Sequence, residues 1–385
     1  MEAAGARAEG SHRVETVSLW CAIVTLLVAM VPVSIAVDRA GGKPSILVRM
    51  EPDEPMAELA RRADPEFAFV AEAHYDGVYF YAVATDPLAT GEAHAVIDKG
   101  AYRYGHAGYG WLGWIASAGQ ASAAPVALLM LGFAGLAVAA IAISRLSAAL
   151  GWTPWGGLAI AFNPGLIYAL TSLTSETVGA AFTALALLAW VRGRYVWGAA
   201  AAAAACLVKE PFVLVPAALA LWEVYRWFAH RDLGRSVRRI ALLSIGPVLF
   251  ACWYVYIRVQ FGEWSFEATE GFFAVPPFGW LEAIGNASSM AAGADLESQL
   301  GAASAPLLAA VGAAMIAGLV RAVTVRNPVA FAFVLLGLLA LALRPLGVLF
   351  PKDLIRELSI PLMLLPLVLA ARKGHGADDA PVSAG

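Results

Sequence analysis

Charge is scarce in this 385-residue chain: only 14% of residues are Asp, Glu, Lys or Arg, against roughly 25% in an ordinary globular protein. The formal net charge of -3 excludes binding to nucleic acid driven by phosphate neutralisation. Cysteine is nearly absent. Cys21, Cys206 and Cys252 lie in apolar runs, too few for a disulfide framework and without metal-ligand spacing. The six histidines are scattered and form no HExxH pair. Long polar, low-complexity stretches are missing as well, so extended disorder is confined to the termini.

What the chain has instead is apolar surface. Hydrophobic residues make up 60% and the mean hydropathy is +0.70. A water-soluble fold cannot hide that much, so the solvent for much of the chain is lipid. The expected fold class is an all-α polytopic membrane protein, a single transmembrane domain over 1–385, because only helices and closed barrels satisfy their backbone in a bilayer. At about 20 apolar residues per crossing, about ten transmembrane helices are expected: Val17–Val37, Ala123–Ser144, Thr153–Leu170, Thr174–Trp190, Tyr195–Val208, Pro211–Phe228, Ile240–Ile257, Ala303–Leu319, Pro328–Leu343 and Ile355–Ala370. The first runs into Asp38-Arg39 with no small-residue cleavage site, so it is read as a span and not a signal peptide. The run Ala199–Ala205 suits close helix packing in lipid.

Orientation follows from the loop cations. With both termini in the cytoplasm, the inner segments hold 14 Lys and Arg against 7 acids, and the outer segments 12 against 22. The cluster Arg231–Arg239 then faces the cytoplasm, and the expected location is the cell membrane, in contact with its lipids. Two outer-face loops are long, 38–106 and 260–302. Loops beyond about 12–15 residues in a compact fold are usually functional.

In the first loop an acid is enclosed by aromatics, His74-Tyr75-Asp76-Gly77-Val78-Tyr79-Phe80-Tyr81. An interfacial helix accounts for the aromatics, but not for carboxylates near hydrocarbon. Desolvation there is expected to raise the Asp76 pKa toward that of a general base. Glu176 is explained structurally as a first-turn acid after a Ser/Thr cap. Lys209-Glu210 reads either as a solvated loop or as a phosphate contact. Glu223, inside a span, is expected to pair with Arg226 at i,i+3. Gly108-Tyr109-Gly110-Trp111-Leu112-Gly113 matches G-x-G-x-x-G but follows no strand, so dinucleotide binding is dismissed. The second loop carries Trp264, Phe266, Phe272, Phe273, Phe278 and Trp280 among Glu263, Glu267, Glu270 and Glu282, the pattern of an amphipathic lid or interfacial anchor.

Tyr75-Asp76-Gly77 with Tyr79 and Tyr81, then Asp86-Pro87, then Asp98 with Tyr102-Arg103-Tyr104, resembles the first periplasmic loop of a bacterial branch of the GT-C glycosyltransferases. These multispan enzymes use polyprenyl-phosphate-linked sugars. The resemblance continues at Ser172–Glu176 and at Lys209-Glu210, where many relatives have Thr-Arg-Glu, and reaches Arg356. It covers Val17–Pro216 best. It departs at Gly105-His106, where relatives carry Gln-Arg. The resemblance implies transfer of a sugar from a polyprenyl-phosphate carrier to an acceptor on the outer face, with Asp76 as the base acting on the acceptor hydroxyl. It also implies substrate contacts at Tyr75, Tyr79, Asp98, Arg103, Tyr104, His106, Glu176, Lys209, Glu210 and Arg356. Phosphate is a good leaving group, so such a site needs a base and cations and no general acid; Arg344 and Lys352 are further outer-face cations. No cofactor is demanded, though a divalent cation between Asp76 and Asp86 would be compatible. The rival readings are a transporter or lipid flippase, or a non-catalytic assembly subunit of the same fold.

Overall fold

The computed structural model describes residues 2–72, 74–269, 273–290 and 296–371. Glu270 and Phe272 of the expected lid, and the expected cytoplasmic tail from Arg372 onward, lie outside the described residues.

Among those residues the regular secondary structure is all helical, with one isolated bridge between Phe273 and Leu343. In chain order the helices are α1 (Glu2–Arg39), α2 (Pro55–Ala63), α3 (Gly77–Thr85), α4 (Ala93–Val96), α5 (Gly100–Tyr104), α6 (Ala107–Ala116), α7 (Ala124–Ala149), α8 (Pro164–Thr171), α9 (Glu176–Val191) and α10 (Tyr195–Val208). There follow α11 (Leu214–His230), α12 (Leu233–Leu243), α13 (Ile245–Phe261), α14 (Phe278–Met290), α15 (Leu296–Thr324), α16 (Pro328–Leu341), α17 (Pro345–Val348), α18 (Pro351–Glu357) and α19 (Ser359–Ala370).

Five stretches are long and apolar enough to cross a membrane: Gly10–Arg39, Ala124–Ala149, Glu210–His230, Leu233–Phe261 and Ser304–Thr324. Four apolar helices, α9, α10, α16 and α19, are shorter. The expected span Thr153–Leu170 is not one helix. Pro154 opens a 3-10 turn, Pro154–Ala159, and Pro164 opens α8. A proline starts a helix readily but cannot continue one, since it lacks the N–H. Between the two pieces, the Asn163 side chain accepts from Leu166 N at 3.2 Å and donates to the Ser359 carbonyl at 2.7 Å, which fixes the break against α19.

α7 packs on α1 and α9, and α10 lies between α9 and α13. The approaches depend on small residues, as expected in lipid. A Cβ at Gly135 of α7 would stand 2.8 Å from the Thr177 carbonyl, and one at Gly246 of α13 would stand 2.7 Å from Ala203 Cα in the poly-alanine run. The G-x-G-x-x-G triplet serves the same purpose in α6. Gly108 meets the Leu207 backbone, Gly110 meets Val83 and Gly113 meets Leu128.

The first long loop is folded into short helices, and α3 is not interfacial: every residue from Gly77 to Ala84 is buried. The aromatics around Asp76 are core side chains. In the second loop Trp264 and Phe266 stack on each other, and Phe273 and Phe278 are exposed. Trp280 is buried instead, donating to the Ala340 carbonyl at 2.9 Å, so it anchors α14 on α16 and is not a lid surface. Glu223 is fully buried and accepts from Trp190 Nε1 and Arg239 Nη1, both at 3.0 Å. Arg239, which the sequence did not single out, is thus a partner of Glu223. The reason is that α12 turns back against α11 and α10 and delivers Arg239, whose guanidinium also stacks 3.8 Å over Tyr195.

Candidate functional site

The site begins with a glycine. A Cβ at Gly77 would stand 2.5 Å from the Ser172 carbonyl and 2.6 Å from that of Val48, both backbone atoms. Only glycine lets the start of α3 wedge between these two segments. That wedge carries Asp76, the residue just before the helix, toward the loop that opens α9.

The Asp76 carboxylate sits between two guanidiniums. Oδ1 accepts from Arg103 Nη1 of α5 at 3.2 Å, and Oδ2 accepts from Arg356 Nη1 of α18. Arg356 also donates to Glu357 Oε1 at 2.8 Å, and its Nε lies 3.9 Å from Glu176 Oε1. Lys209, between α10 and the following turn, reaches Glu176 Oε1 at 3.0 Å and Glu357 Oε1 at 3.5 Å. Residues 76, 103, 176, 209, 356 and 357 thus form one continuous ion-pair network. Neither Glu176 nor Lys209 is a solvated loop group; their side chains are 5% and 13% exposed. Glu176 does not act merely as a first-turn acid, because it holds two cations from other elements.

Aromatic faces back the cations. Arg103 lies 3.5 Å over the Tyr79 ring, and Arg356 4.8 Å over that of Tyr75. Such stacking favours a cation when water is excluded. Tyr75 donates its hydroxyl to Asp353 Oδ1 at 2.9 Å. Tyr79 meets His74 Nε2 at 3.0 Å, and His74 Nδ1 reaches Glu54 Oε1 at 2.7 Å.

Burial pushes the Asp76 carboxyl up, but the Arg356 and Arg103 guanidiniums outweigh it and hold the group well below the usual carboxylate range. This corrects the expectation that desolvation would raise it. Two cations in direct contact stabilise the anion more than burial penalises it. Burial pushes the Tyr75 and Tyr79 phenols up, so both remain protonated donors.

The other expected site residues divide. Asp98 is half exposed and lies 3.6 Å from Arg103 Nη2, while Asp76 takes Nη1. His106 Nδ1 lies 2.8 Å from Glu210 Oε2, an ion-pair contact without the alignment of a hydrogen bond. The two form a separate buried pair, with Tyr102 edge-on to the His106 ring. Tyr104 is not brought to Asp76. Its ring packs with Val83, Ala89, Ala101 and Phe261, and its carbonyl accepts from Trp253 at 2.8 Å. Its neighbour along α5, Arg103, points the other way.

Asp86 is a turn residue. It accepts from Thr90 N, Gly91 N, His94 N and His94 Nδ1. Its four donors are all within eight residues, and it lies outside the network of Asp76. Among the described residues, no three His, Cys, Asp or Glu side chains are grouped so as to hold a metal ion.

No family model, curated protein or solved structure matches the chain. The chemistry must be read from the site alone. Three cations (Arg103, Lys209, Arg356) are paired with carboxylates, and two of them, Arg103 and Arg356, also lie over aromatic rings. Arg103 Nε, Arg356 Nε and Ser175 Oγ are buried without a hydrogen-bond partner. Buried donors without acceptors are costly, and the two on the guanidiniums that hold Asp76 suit an anionic ligand. Glu357 and Asp353 belong to this site and are not among the expected residues. The indication in the sequence was the charged run Lys352-Asp353…Arg356-Glu357 set in an apolar tail.

Proposed function

We propose that the protein is a polytopic glycosyltransferase of the cell membrane, of GT-C-like architecture. It moves a sugar from a polyprenyl-phosphate carrier to an acceptor on the outer face. In this reading the four shorter apolar helices and the broken 153–170 segment complete about ten crossings, with both termini cytoplasmic. The observation that carries the proposal is Asp76 held between Arg103 and Arg356, with unsatisfied buried N–H groups on the same two guanidiniums.

The acceptor hydroxyl oxygen forms the new bond to the anomeric carbon. The bond from that carbon to the phosphate oxygen breaks, and the pair leaves with the phosphate. Asp76 takes the hydroxyl proton. A carboxylate locked to two guanidiniums is a poor base. The arriving phosphate competes for Arg356, and as that guanidinium turns to it, Asp76 loses its strongest partner and gains basicity. Donor binding and base activation are then one event. Glu176 and Glu357 hold Lys209 and give Arg356 further carboxylate partners as it turns.

One observation favours the non-catalytic alternative: each of Arg103, Lys209 and Arg356 already has a carboxylate partner. The test is release of polyisoprenyl phosphate from a polyisoprenyl-phosphate sugar by the purified protein in liposomes, with Asp76→Ala as control. Release that depends on Asp76 supports the enzyme reading. Release no faster than the control, with several acceptors, defeats it.

A further inference from the structure

Three arginines from separate segments gather at the end of the bundle opposite the Asp76 network. Arg145 lies about one turn inside the end of α7, Arg192 follows the last residue of α9, and Arg194 precedes the first residue of α10. α10 has 14 residues, so at 1.5 Å per residue Arg194 and Lys209 stand about 21 Å apart. The Arg192-Gly193-Arg194 turn is tight. Gly193 N donates to the Trp190 carbonyl at 3.0 Å and Arg194 N to the Ala189 carbonyl at 2.8 Å. Gly193 has a φ of 71°, in the left-handed region that favours glycine. The turn fixes two arginines on either side of one glycine, and the packing of α7 on α9 adds the third. Desolvation, and then the like charges of Arg145 and Arg194, pull the Arg192 guanidinium below its usual range.

Cations collect at one end of membrane helices in general, but this trio differs from its neighbours. Arg239 is held by Glu223 at 3.0 Å, Arg235 by Asp232 at 3.2 Å, and Arg321 by the Ala371 carbonyl. Among the described residues Arg145, Arg192 and Arg194 have no carboxylate partner. Helix dipoles do not supply the missing charge. The C-terminus of α9 favours Arg192, but the N-terminus of α10 disfavours Arg194 by a similar amount. That N-terminus has no capping side chain and no acid in its first turn, so its leading N–H groups lack a side-chain acceptor as well. The same turn bares Val196 and Trp197, 64% and 73% exposed. Trp197 shares a helix face with Arg194 at i,i+3. A tryptophan bared beside hydrocarbon marks the membrane interface, so the arginines next to it sit at the depth of lipid phosphates.

We infer that Arg145, Arg192 and Arg194 form a binding site for the headgroup phosphate of an anionic phospholipid, with an acyl chain of that lipid against Trp197. The inference goes beyond the proposed sugar transfer and does not rest on it, because the site lies at the other end of α9 and α10 from Glu176 and Lys209. Charge complementarity selects the head. Phosphatidylglycerol brings one uncompensated negative charge to three unpaired cations. Phosphatidylcholine brings the same phosphate with a trimethylammonium group that those cations repel. A soluble phosphate meets the same arginines but gains nothing from Trp197, which separates a lipid site from a free-anion site. Arg239 lies over the neighbouring Tyr195 ring at 3.8 Å but is no part of the site, since Glu223 already neutralises it.

The test uses the full chain reconstituted in phosphatidylcholine vesicles, with brominated-chain phosphatidylglycerol or brominated-chain phosphatidylcholine replacing increasing fractions of the host lipid. Bromine quenches a tryptophan that it touches, and the difference between wild type and Trp197→Phe isolates the Trp197 signal. Brominated phosphatidylglycerol should quench Trp197 at a lower mole fraction than brominated phosphatidylcholine, with a preference of about tenfold or more. Arg192→Gln and Arg194→Gln each replace an exposed side chain, so they should keep the wild-type Tm. Each should cut the preference by about fivefold. Arg326→Gln is the control. Arg326 precedes α16, whose Phe331 packs on Trp222 beside Glu223, so it lies at the same end of the bundle but outside the trio. Its loss should leave the Trp197 signal unchanged. Equal quenching by the two brominated lipids overturns the assignment, as does an undiminished preference in the Arg192→Gln/Arg194→Gln double variant. A loss in Arg326→Gln as large as in Arg192→Gln also overturns it, since the attraction is then a property of the whole surface. Millimolar inorganic phosphate, added at constant ionic strength, should leave the preference in place; if it abolishes the preference, the site takes a free anion and the lipid is refuted. None of these outcomes involves sugar release, so the transfer reading stands or falls separately.

Discussion

Replacing Asp76 by asparagine removes one negative charge from between two guanidiniums and changes almost nothing in shape. The amide oxygen can still accept from one arginine, but the amide N–H₂ must face the other. The side chains of Asp76, Arg103 and Arg356 are 30%, 17% and 11% exposed, so the cluster lies between a surface pair and a buried one. Surface pairs contribute roughly 0–1 kcal/mol and breaking a buried pair costs about 3–5 kcal/mol. The expected loss for Asp76→Asn is therefore about 2 kcal/mol. The sign with pH is fixed by the depressed folded-state pKa. The stabilisation is complete above the unfolded carboxyl value of about 3.9 and is lost as pH falls from there toward the folded value. Wild-type stability should thus carry this group's full contribution, with no pH dependence from it, between about pH 5 and pH 7 and an acid limb below about pH 4, and the variant should lack its share of that limb. Thermal and denaturant unfolding in detergent, repeated across pH, measure both. Sugar transfer measured on the same samples should fall by about 10²–10⁴-fold, the range for a lost general base. A stability change under about 0.5 kcal/mol with an intact acid limb would refute the electrostatic reasoning. Full transfer activity would remove Asp76 from the chemistry whatever its stability.

Asp86→Asn should act oppositely: its amide oxygen can still accept from Thr90 and Gly91, but the NH₂ replaces the acceptor of His94 N and Nδ1, so it should cost about 1–3 kcal/mol in unfolding measurements, with transfer per folded molecule retained. Gly77→Ala forces a Cβ against two backbone carbonyls and should cost about 1–3 kcal/mol while displacing Asp76, so that both Tm and turnover fall; a variant as stable and active as wild type would show that the wedge is not needed. Glu223→Leu leaves Arg239 and Trp190 without their acceptor and should cost about 3–5 kcal/mol, whereas Glu223→Leu combined with Arg239→Met should recover most of it. A cysteine placed at Gly234, where nothing lies within 4 Å of a Cβ, should resist an impermeant thiol reagent in intact cells and react after permeabilisation; labelling of intact cells would invert the proposed topology.

The helical fold and its lipid solvent were legible in composition alone, because so apolar a chain with so few charges has no other way to satisfy its backbone. The close packing of the poly-alanine run was legible too, since small side chains leave no alternative to backbone approach. The broken segment at 153–170 shows where hydropathy stops: its apolar content predicts a span, while Pro154, Asn163 and Pro164 decide hydrogen bonds that hydropathy does not see. At the site, the aromatic-enclosed acid Asp76 stands out in the sequence, but its environment does not. Arg356 is 280 residues away, and only the packing of α18 against α8 brings it to the carboxylate. That contact reverses the sign of the pKa shift expected from burial. The same distance effect hid Glu357 and Asp353, whose meaning lies in what faces them. The contact of Glu223 with Arg239 was likewise hidden, because it depends on how α12 turns back against α11. Local chemistry is written in consecutive residues. The partners of a buried charge are set by tertiary packing, because a Coulomb interaction depends on distance in space and not along the chain.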